Sequence, residues 1–162
     1  MINIKTKTYA ILPLFLLVFL AFPLHLRAAE VYFAPAGRRF ERVGDILRLE
    51  VRVSSNETLN AFELTIFYPP EKLKLLKINE KKSLINLWVK KPSAWPKEGK
   101  IFFTGGKIGG FKGDGLLAEI IFQPKEPGKA RLTFSQESLI LRHDGLGTPE
   151  PTSFLASEFN LK

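Results

Sequence analysis

The stretch Leu47-Arg48-Leu49-Glu50-Val51-Arg52-Val53 alternates apolar and charged side chains without a break. Successive strand residues point to opposite faces, so Leu47, Leu49, Val51 and Val53 share one face and Arg48, Glu50 and Arg52 the other. A strand of this kind sits with one face in a core and one in water, as in antiparallel sheets. Working outward, similar runs recur at short intervals. Residues 31–34 open the series, and Gly44-Asp45 punctuates the approach to the alternating strand. Ser54-Ser55-Asn56-Glu57 predicts a turn into residues 59–68. There Phe62, Leu64, Ile66 and Tyr68 share one face, and Ala61, Glu63, Thr65 and Phe67 share the other. Pro69-Pro70 ends that run, since neither residue can donate to a ladder.

Further along, the doubled Leu75-Leu76 predicts a bulge or a change of face. Residues 83–89 read as a short strand or a helical turn, residues 90–99 as a Pro- and Lys-rich loop, and residues 101–104 as strand again. The glycine-rich residues 105–115 read as a flexible loop. Beyond them, Ala118, Ile120 and Phe122 are expected inside with Glu119 outside, and Ala130, Leu132 and Phe134 alternate with Arg131 and Thr133. Residues 139–142, a turn over residues 143–147 and residues 154–161 complete the set. Short strands with Gly/Pro turns and no amphipathic helix predict an all-β, antiparallel sandwich of about nine strands.

The N-terminus reads differently. Lys5 and Lys7 precede an uncharged apolar run over residues 9–24, and Ala28-Ala29 follows. That is the layout of a secretory signal over residues 1–29, with residues 30–162 as one domain. Cleavage after Ala28 places Leu26 three residues before the bond, and cleavage after Ala29 places Arg27 there. The run is longer than a usual signal core of about 7–15 residues and shorter than a membrane span of about 20, so an uncleaved N-terminal anchor is the alternative. Either form puts the domain outside the cytoplasm, secreted or at the cell surface.

The formal charge is +8, and the leader removes Lys5, Lys7 and Arg27 with no acid. The remaining basic excess is spread over strands and turns, which suits a solvated surface or acidic extracellular matter better than nucleic acid. There is no cysteine, which excludes disulfides, thiol catalysis and thiolate metal sites. Residues 105–115 fit neither phosphate-binding glycine pattern. His143 is the sole histidine beyond the leader, and no G-x-S-x-G elbow exists, so no enzyme and no cofactor is expected. Asp45, Asp114 and Asp144 each adjoin glycine, which turn geometry explains without a metal. Trp88 and Trp95, with lysines at 90, 91, 97 and 100, form a patch suited to sugar stacking, or else pack under their own chain.

The order of these features resembles a bacterial cohesin module, the sandwich of cellulosome scaffolds. Val43-Gly44-Asp45 leads into the long alternating strand, and Leu59-Asn60-Ala61-Phe62-Glu63-Leu64 runs into Tyr68-Pro69-Pro70-Glu71-Lys72-Leu73. Gly113-Asp114-Gly115-Leu116-Leu117-Ala118-Glu119-Ile120 is similar to the family's glycine entry to a core strand, and residues 128–134 with Ser138-Leu139 to its closing strands. The likeness spans nearly all of residues 30–161. It implies a jelly-roll related to cellulose-binding modules and a non-catalytic protein-binding role through one sheet face. The family often carries an Asn and an Asp where this chain has Ala61 and Glu63, and Asp where it has Pro69. The partner implied is a dockerin-like or other surface protein, and the partner-binding residues are Glu63, Thr65 and Phe67. Polysaccharide binding through Trp88 and Trp95 is the alternative, and a structural subunit of a surface assembly the third.

Overall fold

The computed structural model describes residues 28–35 and 39–162, and the predicted leader lies almost wholly outside them. Ten strands follow in order: β1 (Ala29–Ala34), β2 (Arg39–Glu41), β3 (Leu47–Phe67), β4 (Leu73–Asn79), β5 (Leu87–Trp95), β6 (Lys100–Pro124), β7 (Gly128–Phe134), β8 (Leu139–Arg142), β9 (Thr152–Phe154) and β10 (Ser157–Leu161). No helix occurs among the described residues. The chain is a β-sandwich, as its alternation predicts.

Two long strands build both layers. The first half of β3 pairs with β1 on one side and with the second half of β6 on the other, from Leu47↔Phe122 to Ser55↔Gly113. The second half of β3 pairs with the first half of β6, from Ala61↔Gly106 to Phe67↔Lys100. Register shifts at residues 55, 59 and 61 mark where the pair turns from one layer into the other. The first layer therefore runs β9–β1–β3–β6–β4, and the second runs β5–β6–β3 with β8 and β7 along the far side of β3, then β10 and β2.

The apolar faces meet between the layers. Leu47, Leu49, Val51 and Val53 are buried, as are Phe62, Leu64 and Ile66 on the second half of β3. Ile120, Phe122, Ala130, Leu132 and Ile140 join them, with Phe159 and Leu161 from the last strand. Leu75-Leu76 does carry a bulge, since the β4–β6 register shifts between Leu75 and Lys77.

Four expectations from local sequence are overturned. Residues 54–57 are no hairpin turn but the bend inside β3. The glycine-rich residues 105–115 are no loop but the matching bend inside β6. Gly109 and Gly110 sit at φ +84° and +73° there, a region L-residues rarely enter, which lets a strand change layers without stopping. Residues 90–99 are largely strand β5, not loop. Pro92 falls in the shift between Lys90 and Ser93, on an edge strand, so its missing N–H breaks no ladder bond. Residues 154–161 are two strands in different layers, β9 parallel to β1 and β10 antiparallel to β7 and parallel to β2. The sandwich is thus mixed at its margins.

Candidate protein-binding face

The cross-strand register of the second layer fixes which side chains share its outer face. One rung holds Leu141, Ala61, Gly106 and Leu87; the next holds Leu139, Glu63, Thr104 and Lys90. A third holds Thr65, Phe102 and Ser93, and the fourth holds Thr133, Phe67, Lys100 and Trp95. Directly opposed residues of antiparallel strands point to the same side, so these side chains form one surface. Where β7 gives way to β8, Ser138 bridges the gap: its Oγ accepts from Thr65 N at 3.1 Å, and Ser135 N donates to Thr65 O at 2.8 Å.

That surface is apolar to an unusual degree for a sheet face. Leu87 is 54% exposed, Phe67 41%, Leu139 40% and Trp95 37%. Two cations stand among them, with Lys90 Nζ 5.2 Å from the ring centres of both Trp95 and Phe102, and Lys100 Nζ 5.4 Å from that of Trp95. The face is shallow; a depression of about 90 Å³ between Glu63, Thr104, Leu139 and Leu141 is far below the roughly 300 Å³ a small-molecule pocket needs.

The outer face of the first layer is built the opposite way. Arg48 pairs with Glu119 at 3.7 Å, and Arg52 pairs with Glu50 at 2.7 Å. Asp114 accepts from Arg52 and from the Tyr32 hydroxyl, and Asn79 Nδ2 donates to Glu119 at 3.0 Å. The hydrogen bonds that Arg52 donates to Asp114 and Glu50 raise its pKa above its ordinary value. Charges at the centre of that face are paired within the sheet, while Lys74 and Lys77 on the edge strand β4 stand outside those pairs. A larger cleft of about 330 Å³ lies beside this network, between Glu30, Tyr32, Ser54, Asp114 and the β9–β10 link, away from the apolar face.

The structure brings Glu63, Thr65 and Phe67 together with Trp95, two sites that the sequence offered as alternatives. Trp88 does not join them. It points into the sandwich, edge-on to the buried Phe103 at 6.0 Å between ring centres. Phe102, Leu139 and Leu87 belong to the face and were missed by sequence reasoning. Alternation of Ile101 and Phe103 with Phe102, and of Ile140 with Leu139 and Leu141, was the available signal.

The backbone superposes on solved structures over most of its length. The fold is that of a cohesin module. A non-cellulosomal cohesin from Archaeoglobus fulgidus superposes with a TM-score of 0.68 at 18% identity, covering 83% of this chain and 91% of that one. The seventh ScaB type I cohesin of Pseudobacteroides cellulosolvens gives 0.69 at 16% identity, with 83% and 92% covered. A type I cohesin in complex with a dockerin, from Clostridium thermocellum, gives 0.67 at 14% identity, with 83% and 99% covered. Neither a protein-family model nor a curated protein matches the sequence. At such identities the cohesin likeness is one of backbone, and the side chains of the face must be read from this chain.

Proposed function

We propose that this chain is a non-catalytic module that binds a protein partner, dockerin-like or another surface protein, through the outer face of the β5–β6–β3–β8 layer. We further propose that it works after export, secreted or held at the cell surface. The observation that carries the reading is the contrast between the two outer faces. One has a centre of ion-paired Arg48, Glu50, Arg52 and Glu119, and the other leaves Leu87, Phe67, Leu139 and Trp95 in water beside Lys90 and Lys100. Exposed apolar groups in a contiguous patch mark interaction surfaces, and large aromatics dominate binding energy there. Cohesins solved with dockerins bound support a protein as the occupant.

The other two readings gain less. The sugar site offered by the sequence pairs Trp88 with Trp95, and Trp88 is turned inward against Phe103. Assembly by strand addition would need a long, regular open edge, whereas β5 is interrupted by two register shifts and Pro92, β4 by a bulge, and the edge strands β2 and β9 are three residues each.

The test is capture from the source organism's secretome by the immobilised chain, identification of the captured protein, and titration of that protein. Phe67→Ala is expected to weaken binding by more than about 1 kcal/mol with unfolding unchanged. Undiminished affinity, or retention on insoluble polysaccharide in place of protein capture, would reject this face as a protein site.

A further inference from the structure

Two ammonium groups stand over one indole on this face, and neither has a carboxylate in ion-pair range among the described residues. Their neighbour Lys91 shows the difference, reaching Glu80 at 3.6 Å. Glu63 shares the rung of Lys90 but lies two strands away across Thr104. At the usual spacing that is roughly 10 Å, about a Debye length in physiological salt, so Glu63 does not neutralise Lys90. The ring faces hold the two ammonium groups in place while leaving N–H donors directed outward. Burying such cations under a partner without a counter-charge costs more than the apolar contact returns.

Resting on the reading of this face as a protein-docking surface, we infer that its partner is an acidic protein segment. Its Asp or Glu carboxylates reach Lys90 and Lys100 beside Trp95, and its apolar side chains lie across Phe102, Phe67 and Leu139. The apolar rungs decide for protein over an acidic glycan, because Leu139, Leu141 and Leu87 offer a sugar chain nothing to hydrogen-bond.

Panning the full chain against a displayed library of short random peptides at low salt tests the assignment. Enriched peptides are expected to carry Asp or Glu next to apolar residues. The double variant Lys90→Gln with Lys100→Gln should bind them about tenfold more weakly or worse, and high salt should weaken the native chain likewise. Lys74→Gln, on β4 in the other layer, should bind as the native chain does. Enriched peptides that lack acids and are lost with Phe67→Ala would keep the docking face and overturn the acidic partner. Peptides indifferent to Phe67→Ala as well would overturn both. Failure to enrich any peptide, or lysine-dependent retention on polygalacturonate beads in its place, would also overturn the inference.

Discussion

Leu64 and Glu63 are neighbours in sequence and opposites in environment. Leu64 is fully buried between the layers, while Glu63 stands in water on the docking face. Leu64→Ala is expected to cost about 2–5 kcal/mol in urea unfolding, as large-to-small core changes do. Glu63→Ala is expected to change stability by about 0.5 kcal/mol or less. Equal losses would mean that the strand register is wrong. Asp114 carries a pH dependence. Burial pushes its carboxyl up, but hydrogen bonds from Tyr32 and Arg52 and the guanidinium charge outweigh that and hold it below its ordinary value. A carboxyl lowered on folding stabilises above the unfolded pKa of about 3.9, and that contribution is lost as pH falls through the lower folded value. Asp114→Asn is therefore expected to reduce stability at neutral pH and to flatten the decline below about pH 4. Urea midpoints across a pH series check this, and an unchanged decline would assign the effect to other carboxylates.

At the scale of the element, the β5–β6 hairpin sets the docking face. Its turn brings Trp95 opposite Lys100 and closes at Gly99, whose φ is +61°. Tyr68 N donates to Gly99 O at 2.8 Å, and a Cβ on Gly99 would fall 2.0 Å from Tyr68 O. Backbone conformation and space both demand glycine here. Gly99→Ala is expected to destabilise by more than about 1 kcal/mol and to shift tryptophan fluorescence, because Trp95 moves with the turn. A variant with native stability and emission would show that the hairpin tolerates a different turn. The hairpin was also the hardest element to read. Pro92 and a run of lysines between residues 90 and 100 carry loop chemistry, and only pairing with β6 makes the segment a strand.

For the whole molecule, the boundary of the folded domain bears on export. Ala29 is fully buried in β1, and its N–H donates to Pro151 O at 2.9 Å. The leader pattern predicts an end at residue 29, but the burial of Ala29 leads us to expect that, if the leader is removed, sequencing the mature protein finds its first residue at Ala29 or earlier. A start at Glu30 would strip a buried residue from β1 and count against the observed boundary strand. The paired halves of β3 and β6 tie both layers into one ladder, so unfolding of the domain should be a single cooperative transition.

Alternation along single strands was legible in the sequence, because a period of two depends only on neighbouring residues and on which side meets the core. It determined the all-β class, the buried set Leu49, Val51, Leu64, Ile66, Ile120 and Leu132, and the outward course of Glu63, Thr65 and Phe67. The order of those strands carried the resemblance to cohesins. Tertiary structure alone decided that residues 54–57 and 105–115 are bends within strands, since a glycine run suits a loop and a bend equally until its hydrogen-bond partners are known. It alone set Trp95, Lys90 and Lys100 beside Phe67 and turned Trp88 inward. Cross-strand register joins residues some thirty positions apart through backbone hydrogen bonds, and no local pattern encodes which rung they share.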